Sequence, residues 1–192
     1  MRSNLQHKND CLDYPFDKLP KSIFLDTNVI DVCVKWPEYI FEQRPLDQFV
    51  PSDKHNDIDA LSRIFFVSQR AAWEMRVSHK TISELAATPD SKLREELLDY
   101  GTCFINTEDT DLHSYANDLS RRLINSKFVS TLPDLADREL IAHTIAMQCD
   151  VFCTRDIRSI HSRRNSLRRL PIRILTPSEW WLHIRPWAGL WI

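Results

Sequence analysis

A chain of 192 residues, 43% hydrophobic and 27% charged, with 25 Lys+Arg against 27 Asp+Glu and a net charge of -2, has the size and balance of one globular domain. Its only 2 glycines, Gly101 and Gly189, lie far apart and exclude a glycine-rich phosphate loop of the Walker or dinucleotide type. The 5 cysteines form no CxxC pair and no apolar run approaches the length of a membrane span, so free thiols, no membrane association and a cytoplasmic location are expected.

Residues 1–21 are polar and without period, and read as an N-terminal arm. Ile23, Phe24 and Leu25 then form a short apolar strand, interrupted by Asp26, Thr27 and Asn28, with Thr27 or Asn28 suited to cap the helix that follows. From Trp36 to Asp57 the chain is charged and carries three prolines. Residues 57–73 place Ile58, Leu61, Ile64 and Phe65 at helical spacing. A short strand is expected in 74–79, a helix from Lys80 to near Pro89, another over 91–100 ending before Gly101, and a strand over 102–106.

Leu112, Tyr115, Leu119 and Leu123 predict a helix, and Leu140, Ile141, Thr144 and Ile145 predict the next. Val151 to Thr154 reads as a buried strand, and Pro171 to Leu175 as the last, closing at Thr176-Pro177. Apolar strands alternating with helices predict an α/β protein: a three-layer α/β/α sandwich around a mainly parallel sheet of four to five strands.

In such sheets chemistry gathers outside the carboxyl ends of the strands. Asp26 and Asp156 follow strands, Glu84 lies early in a helix after the second strand, and Asp137 opens the helix before the third. If all four converge, their repulsion raises their pKa values unless a cation offsets it, and oxygen ligands favour Mg²⁺ or Mn²⁺. In two-metal hydrolysis one ion makes hydroxide available near neutral pH and the other stabilises the leaving oxygen.

The order of local words carries more than the acids alone. LDTNVI (25–30), TISEL (81–85) and ADRELIAHTIAMQCDVFCTRD (136–156) occur in sequence over a span of residues 22–177. This pattern resembles the PIN-domain nucleases, the family that includes the VapC-type toxins. The resemblance implies a metal-dependent endoribonuclease domain over 22–177, between the arm and a tryptophan-rich tail at 178–192. Asp26, Glu84, Asp137 and Asp156 would be its catalytic and metal-binding acids, supported by Thr27, Asn28 and Thr154. Asp134 rivals Asp137 as the third acid; Asp137 is preferred because Leu140, Ile141 and Ala142 then follow it as a buried face. The implied partners are an RNA substrate and, if the protein is a toxin, an antitoxin protein; the alternative is an RNA-processing enzyme.

Seven arginines between Arg155 and Arg173 form a local basic segment, with Arg155, Arg158, Arg163 and Arg164 as candidate RNA contacts. The competing expectation for this segment is a solvated helix with Ile157, Ile160 and Leu167 facing inward. Trp180, Trp181, Trp187 and Trp191 could stack on bases, form a homodimer interface or pack back on the chain. Two other functional classes compete with the nuclease. One is a catalytically inactive RNA-binding or scaffold module. The other, a phospho-aspartate receiver or phosphatase, is disfavoured because Asp26 is followed by Thr27 and Asn28 rather than a second acid.

Overall fold

The computed structural model describes residues 3–45, 50, 52–105 and 110–192. Four parallel strands, β1 (Ser22–Leu25), β2 (Glu74–Arg76), β3 (Val151–Cys153) and β4 (Arg173–Leu175), form one sheet in the order β2-β1-β3-β4. Ile23 is in register with Met75 on one side and Val151 on the other, and Val151 with Arg173. β1 is therefore interior, and the strand order reverses between β1 and β3.

Alternation along each strand divides the core into two layers. Ile23, Leu25, Val151, Cys153 and Leu175 pack with α2 (Thr27–Lys35), α3 (Pro37–Glu42), α4 (Ser52–Ser68) and α9 (Pro177–Ile184). Helices α5 (His79–Ala86) and α6 (Ser91–Thr102) join this layer by packing on α2. Phe24, Phe152 and Ile174 face the opposite way, against α7 (Thr110–Leu123) and α8 (Leu135–Ala146), with the rings of Phe24 and Phe152 stacked 5.7 Å apart. The architecture is thus the expected three-layer α/β/α sandwich, with a sheet that is entirely parallel. Among the described residues no helix is long and apolar enough to cross a membrane.

Several local expectations are corrected. The segment 102–106 is not a strand over its described residues: α6 runs through Gly101 to Thr102 and turns follow, although Phe104 O accepts a bond from Val77 N at the end of β2 (3.3 Å). Asn106 lies outside the described residues. Gly101 does not end α6 but lets it approach α5, since a Cβ there would meet Leu85 Cδ1 at 2.7 Å. Tyr115 is exposed despite its helical spacing, and the side chain of Leu112 lies outside the described set. Residues 155–172 form turns and one 3-10 turn (His161–Arg163) rather than a helix, so Ile160 and Leu167 are buried while Ile157 is 49% exposed.

The arm and the tail are both structured. Residues Asn4–Asp13 form α1, started by a reciprocal capping box between Ser3 and Gln6 and burying no residue of its own. α1 lacks an apolar stripe because it is held by polar and edge contacts. Arg185 donates to Asp10 (2.9 Å), Trp187 Nε1 donates to Tyr14 O (2.7 Å), and the Phe16 ring meets Trp187 at 5.4 Å. The tail begins as α9, whose Trp180 and Ile184 are wholly enclosed in the larger core, and none of its four tryptophans is exposed. The two ends of the chain meet as one unit.

Candidate functional site: a carboxylate cluster at the strand ends

Asp26 ends β1, where its N–H donates to Cys153 O (3.0 Å) and extends the pairing with β3. Its carboxylate, 2% exposed, is the N-cap of α2 and accepts from Thr27 N (2.8 Å); the cap is therefore Asp26 itself and not Thr27 or Asn28. The other oxygen accepts from Asn28 Nδ2 (2.6 Å) and Thr154 Oγ1 (2.5 Å). Thr154 Oγ1 in turn accepts from Asp156 N (2.9 Å), and Asn28 Oδ1 accepts from Arg155 N (2.6 Å). The Asp-Thr-Asn and Thr-Arg-Asp words, 128 residues apart between Asp26 and Thr154, clasp each other at the point where strand order reverses.

The remaining acids approach from the helices. Asp137 lies in the first turn of α8, while Asp134 is the exposed N-cap, its oxygen accepting from Ala136 N (2.9 Å). Asp137 feels the charge of Asp134 beside it and also those of Asp156 and Asp26. Glu84 lies in the second turn of α5. Asp156 is held by Ser159, whose N–H donates to Oδ1 (2.8 Å) and whose hydroxyl donates to Oδ2.

Charge links these groups. Burial raises the Asp26 pKa against the opposing hydrogen bonds from Thr154, Thr27 and Asn28. Partial burial, then the charges of Asp26 and Asp137, push Glu84 up to about 7 against the lowering effect of Lys80. Partial burial and the charges of Asp134, Asp156 and Asp26 push Asp137 up to about 6. All four sequence-nominated acids thus share one electrostatic neighbourhood. Among the described residues, however, no three His, Cys, Asp or Glu side chains stand close enough to chelate one metal ion. The donor set has the oxygen chemistry of a hard divalent cation, and mutual repulsion is the charge pattern that such a cation relieves.

Three neighbours were not nominated by sequence. Lys80 bridges Glu84 (3.7 Å) and Glu139 (3.4 Å), so an ammonium group does border the acids. Its i,i+4 spacing to Glu84 is legible on a helix; the contact to α8 is not. Ser159 follows Asp156 by three residues, a turn spacing. Asp57, 9% exposed, accepts from Arg155 Nε (3.0 Å), Ser178 N (3.2 Å) and Ser178 Oγ (2.5 Å), and no sequence signal marks it because its partners are remote.

These contacts revise the arginine candidates. Arg155 is committed to Asp57 with both side chains mostly buried, Arg163 Nη1 donates to Ser159 O (2.8 Å), and Arg164 binds Glu179 and His161. Of the four, Arg158 alone is exposed without an acidic partner among the described residues.

Raised carboxyl pKa values make the folded chain bind protons more readily than the unfolded one. Stability contributed by Glu84 (ordinary value 4.5, about 7 here) and Asp137 (3.8, about 6 here) is therefore full below about pH 4 and is lost progressively as pH rises from there to about 6–7. In EDTA, the melting temperature is expected to fall across that window and to fall less in Glu84→Gln. Parallel native and variant slopes would contradict the placement of Glu84 among the acids.

Compared with protein-family models, curated proteins and solved structures, the chain finds no match, so the resemblance of residues 22–177 rests on their motifs.

Proposed function

We propose that the protein is a metal-dependent endoribonuclease, a hydrolase of RNA phosphodiester bonds that works in the cytoplasm. The observation that carries this reading is the clasp of Asp26 by Thr154 and Asn28 beside Asp137, Asp156 and Glu84, acids whose charges oppose one another. Asp26, Asp137, Asp156 and Glu84 would hold Mg²⁺ or Mn²⁺ directly or through water. When bound, the ion supplies activation of water and neutralisation of phosphate charge. The chain's own part is to fix the acids. Thr27, Asn28 and Thr154 lock both oxygens of Asp26, while Ser159 orients Asp156.

With water as nucleophile, RNA fragments are expected to carry 5'-phosphate and 3'-hydroxyl ends. Incubation of the chain with RNA and Mg²⁺ or Mn²⁺, followed by end-group analysis, tests this. Products with 2',3'-cyclic phosphate would contradict it, since the attacking oxygen would then be the ribose's own. A toxin role with an antitoxin partner is one biological setting for the activity, and RNA processing is the other. A second reading, a module that binds RNA without cleaving it, is favoured by Lys80, whose ammonium already offsets Glu84 and Glu139. No cleavage with either ion, together with retained RNA binding, would select that second reading.

A further inference from the structure

The arginine-rich connection between β3 and β4 runs from the acid cluster at the carboxyl end of the sheet to its amino end, where β4 begins at Arg173. A cavity of about 570 Å³ opens there, lined among others by Lys18, Arg168, Arg173, Asp17 and Asp150. Its three cationic side chains outnumber its two acids. One Asp150 oxygen accepts from Lys21 N (2.8 Å) and Ser22 N (3.0 Å), so it serves to anchor the start of β1. Asp17 is exposed and 3.9 Å from an equally exposed Lys18, a pair worth little in water.

Arg173 differs from its neighbours. It is half-buried, and no ion pair or side-chain hydrogen bond engages its guanidinium among the described residues, whereas Arg155, Arg163 and Arg164 are all engaged. Burial lowers its pKa, and the nearby Asp150 charge opposes that shift. Arg168 projects from the same wall and is exposed without an acidic partner among the described residues. Arg158 and Arg169 are exposed and similarly unpaired along the connection between the two ends. A planar, unpaired guanidinium beside a second one suits the oxygens of a phosphate.

We propose that this cavity is a second binding site, in which Arg168 and Arg173, assisted by Lys18, take a backbone phosphate of the RNA strand whose scissile bond lies at the acids. The inference rests on the RNA reading above and names the course of the substrate. The strand passes from the carboxyl end of the sheet, along Arg158 and Arg169, to its amino end. The three residues of β4 separate the two ends by about 10 Å. That lies within the reach of a single strand covering about 4–16 nucleotides.

The test is fluorescence anisotropy with a labelled oligouridylate of about 12 nucleotides, in EDTA so that binding is read without metal, at several KCl concentrations. The Arg168→Ala, Arg173→Gln double variant is expected to bind at least about tenfold more weakly. Its slope of log Kobs against log[KCl] should be shallower by about 0.7, the value for one phosphate contact on a single strand. Arg168→Ala alone carries the test if Arg173→Gln fails to fold, because Arg168 is exposed; it should account for about half of the slope change. Native affinity and slope in these variants would overturn the inference and leave the nuclease reading standing if the native chain cleaves RNA. If the native chain neither binds nor cleaves RNA, both fall. Inorganic phosphate that raises the melting temperature of the native chain but not of the double variant, with equal RNA binding by both, would mark a small-anion site and overturn the RNA course.

Discussion

Replacing Asp26 with Asn should lower metal-dependent RNA cleavage by at least about a hundredfold, the scale of losing one group that stabilises transition-state charge, while the chain stays folded. Asp26 is the acid most fixed by its surroundings: one oxygen takes the Thr27 N–H and the other takes Asn28 and Thr154. Asparagine is as good an N-cap as aspartate, so α2 should still start at Thr27. One of its nitrogen hydrogens would oppose the Asn28 amide, a conflict costing about 1–3 kcal/mol. Removal of a charge that burial disfavours offsets part of that cost. Cleavage assays under saturating Mn²⁺, paired with thermal melts, separate the two effects. Native-level cleavage by the variant would remove Asp26 from the site and, with it, the proposed chemistry.

Truncation of Trp180 to Ala is expected to cost about 3–5 kcal/mol, a fall of about 6–20 °C in melting temperature for a chain of this size. Trp180 is 0% exposed and lies in the larger core with Leu25, Leu61 and Leu175, its ring 6.3 Å from that of Trp73. Its indole N–H has no hydrogen-bond partner among the described residues. Trp180→Phe should therefore lose far less, because the smaller ring leaves a void but also removes a buried donor without an acceptor. A tail that was merely attached to the surface would instead give nearly equal melts for all three proteins. The loss should also reach the site: α9 presents Ser178 to Asp57, and Asp57 holds Arg155, the neighbour of Asp156.

The strands at Ile23, Val151 and Arg173 were legible because short apolar runs bounded by polar residues have one economical use, a buried parallel sheet. α8 was legible from its apolar spacing, and Asp26 and Asp156 from their positions just beyond strands. The expected strand at 102–106 failed because the apolar Phe104 and Ile105 are used to pack a turn after α6 against the larger core. α1 escaped notice because a helix held by capping and by end contacts needs no apolar stripe. The partners of the arginines were not legible for a related reason: a count of seven says nothing of which guanidinium already faces Asp57, Glu179 or a carbonyl.

By itself, the sequence determined the α/β class, the four strands that form and the four acids at one edge, because these follow from local periodicity and from residues adjacent to strand ends. Only the tertiary structure decided that Asp134 caps α8, that Lys80 reaches Glu139 across two helices, and that Arg155 and Arg164 have acidic partners whereas Arg168 and Arg173 have none within ion-pair distance among the described residues. The physical reason is common to the last two. Each depends on which charged partner lies within a few ångström across separate elements, and the folded chain sets that distance independently of separation along the sequence.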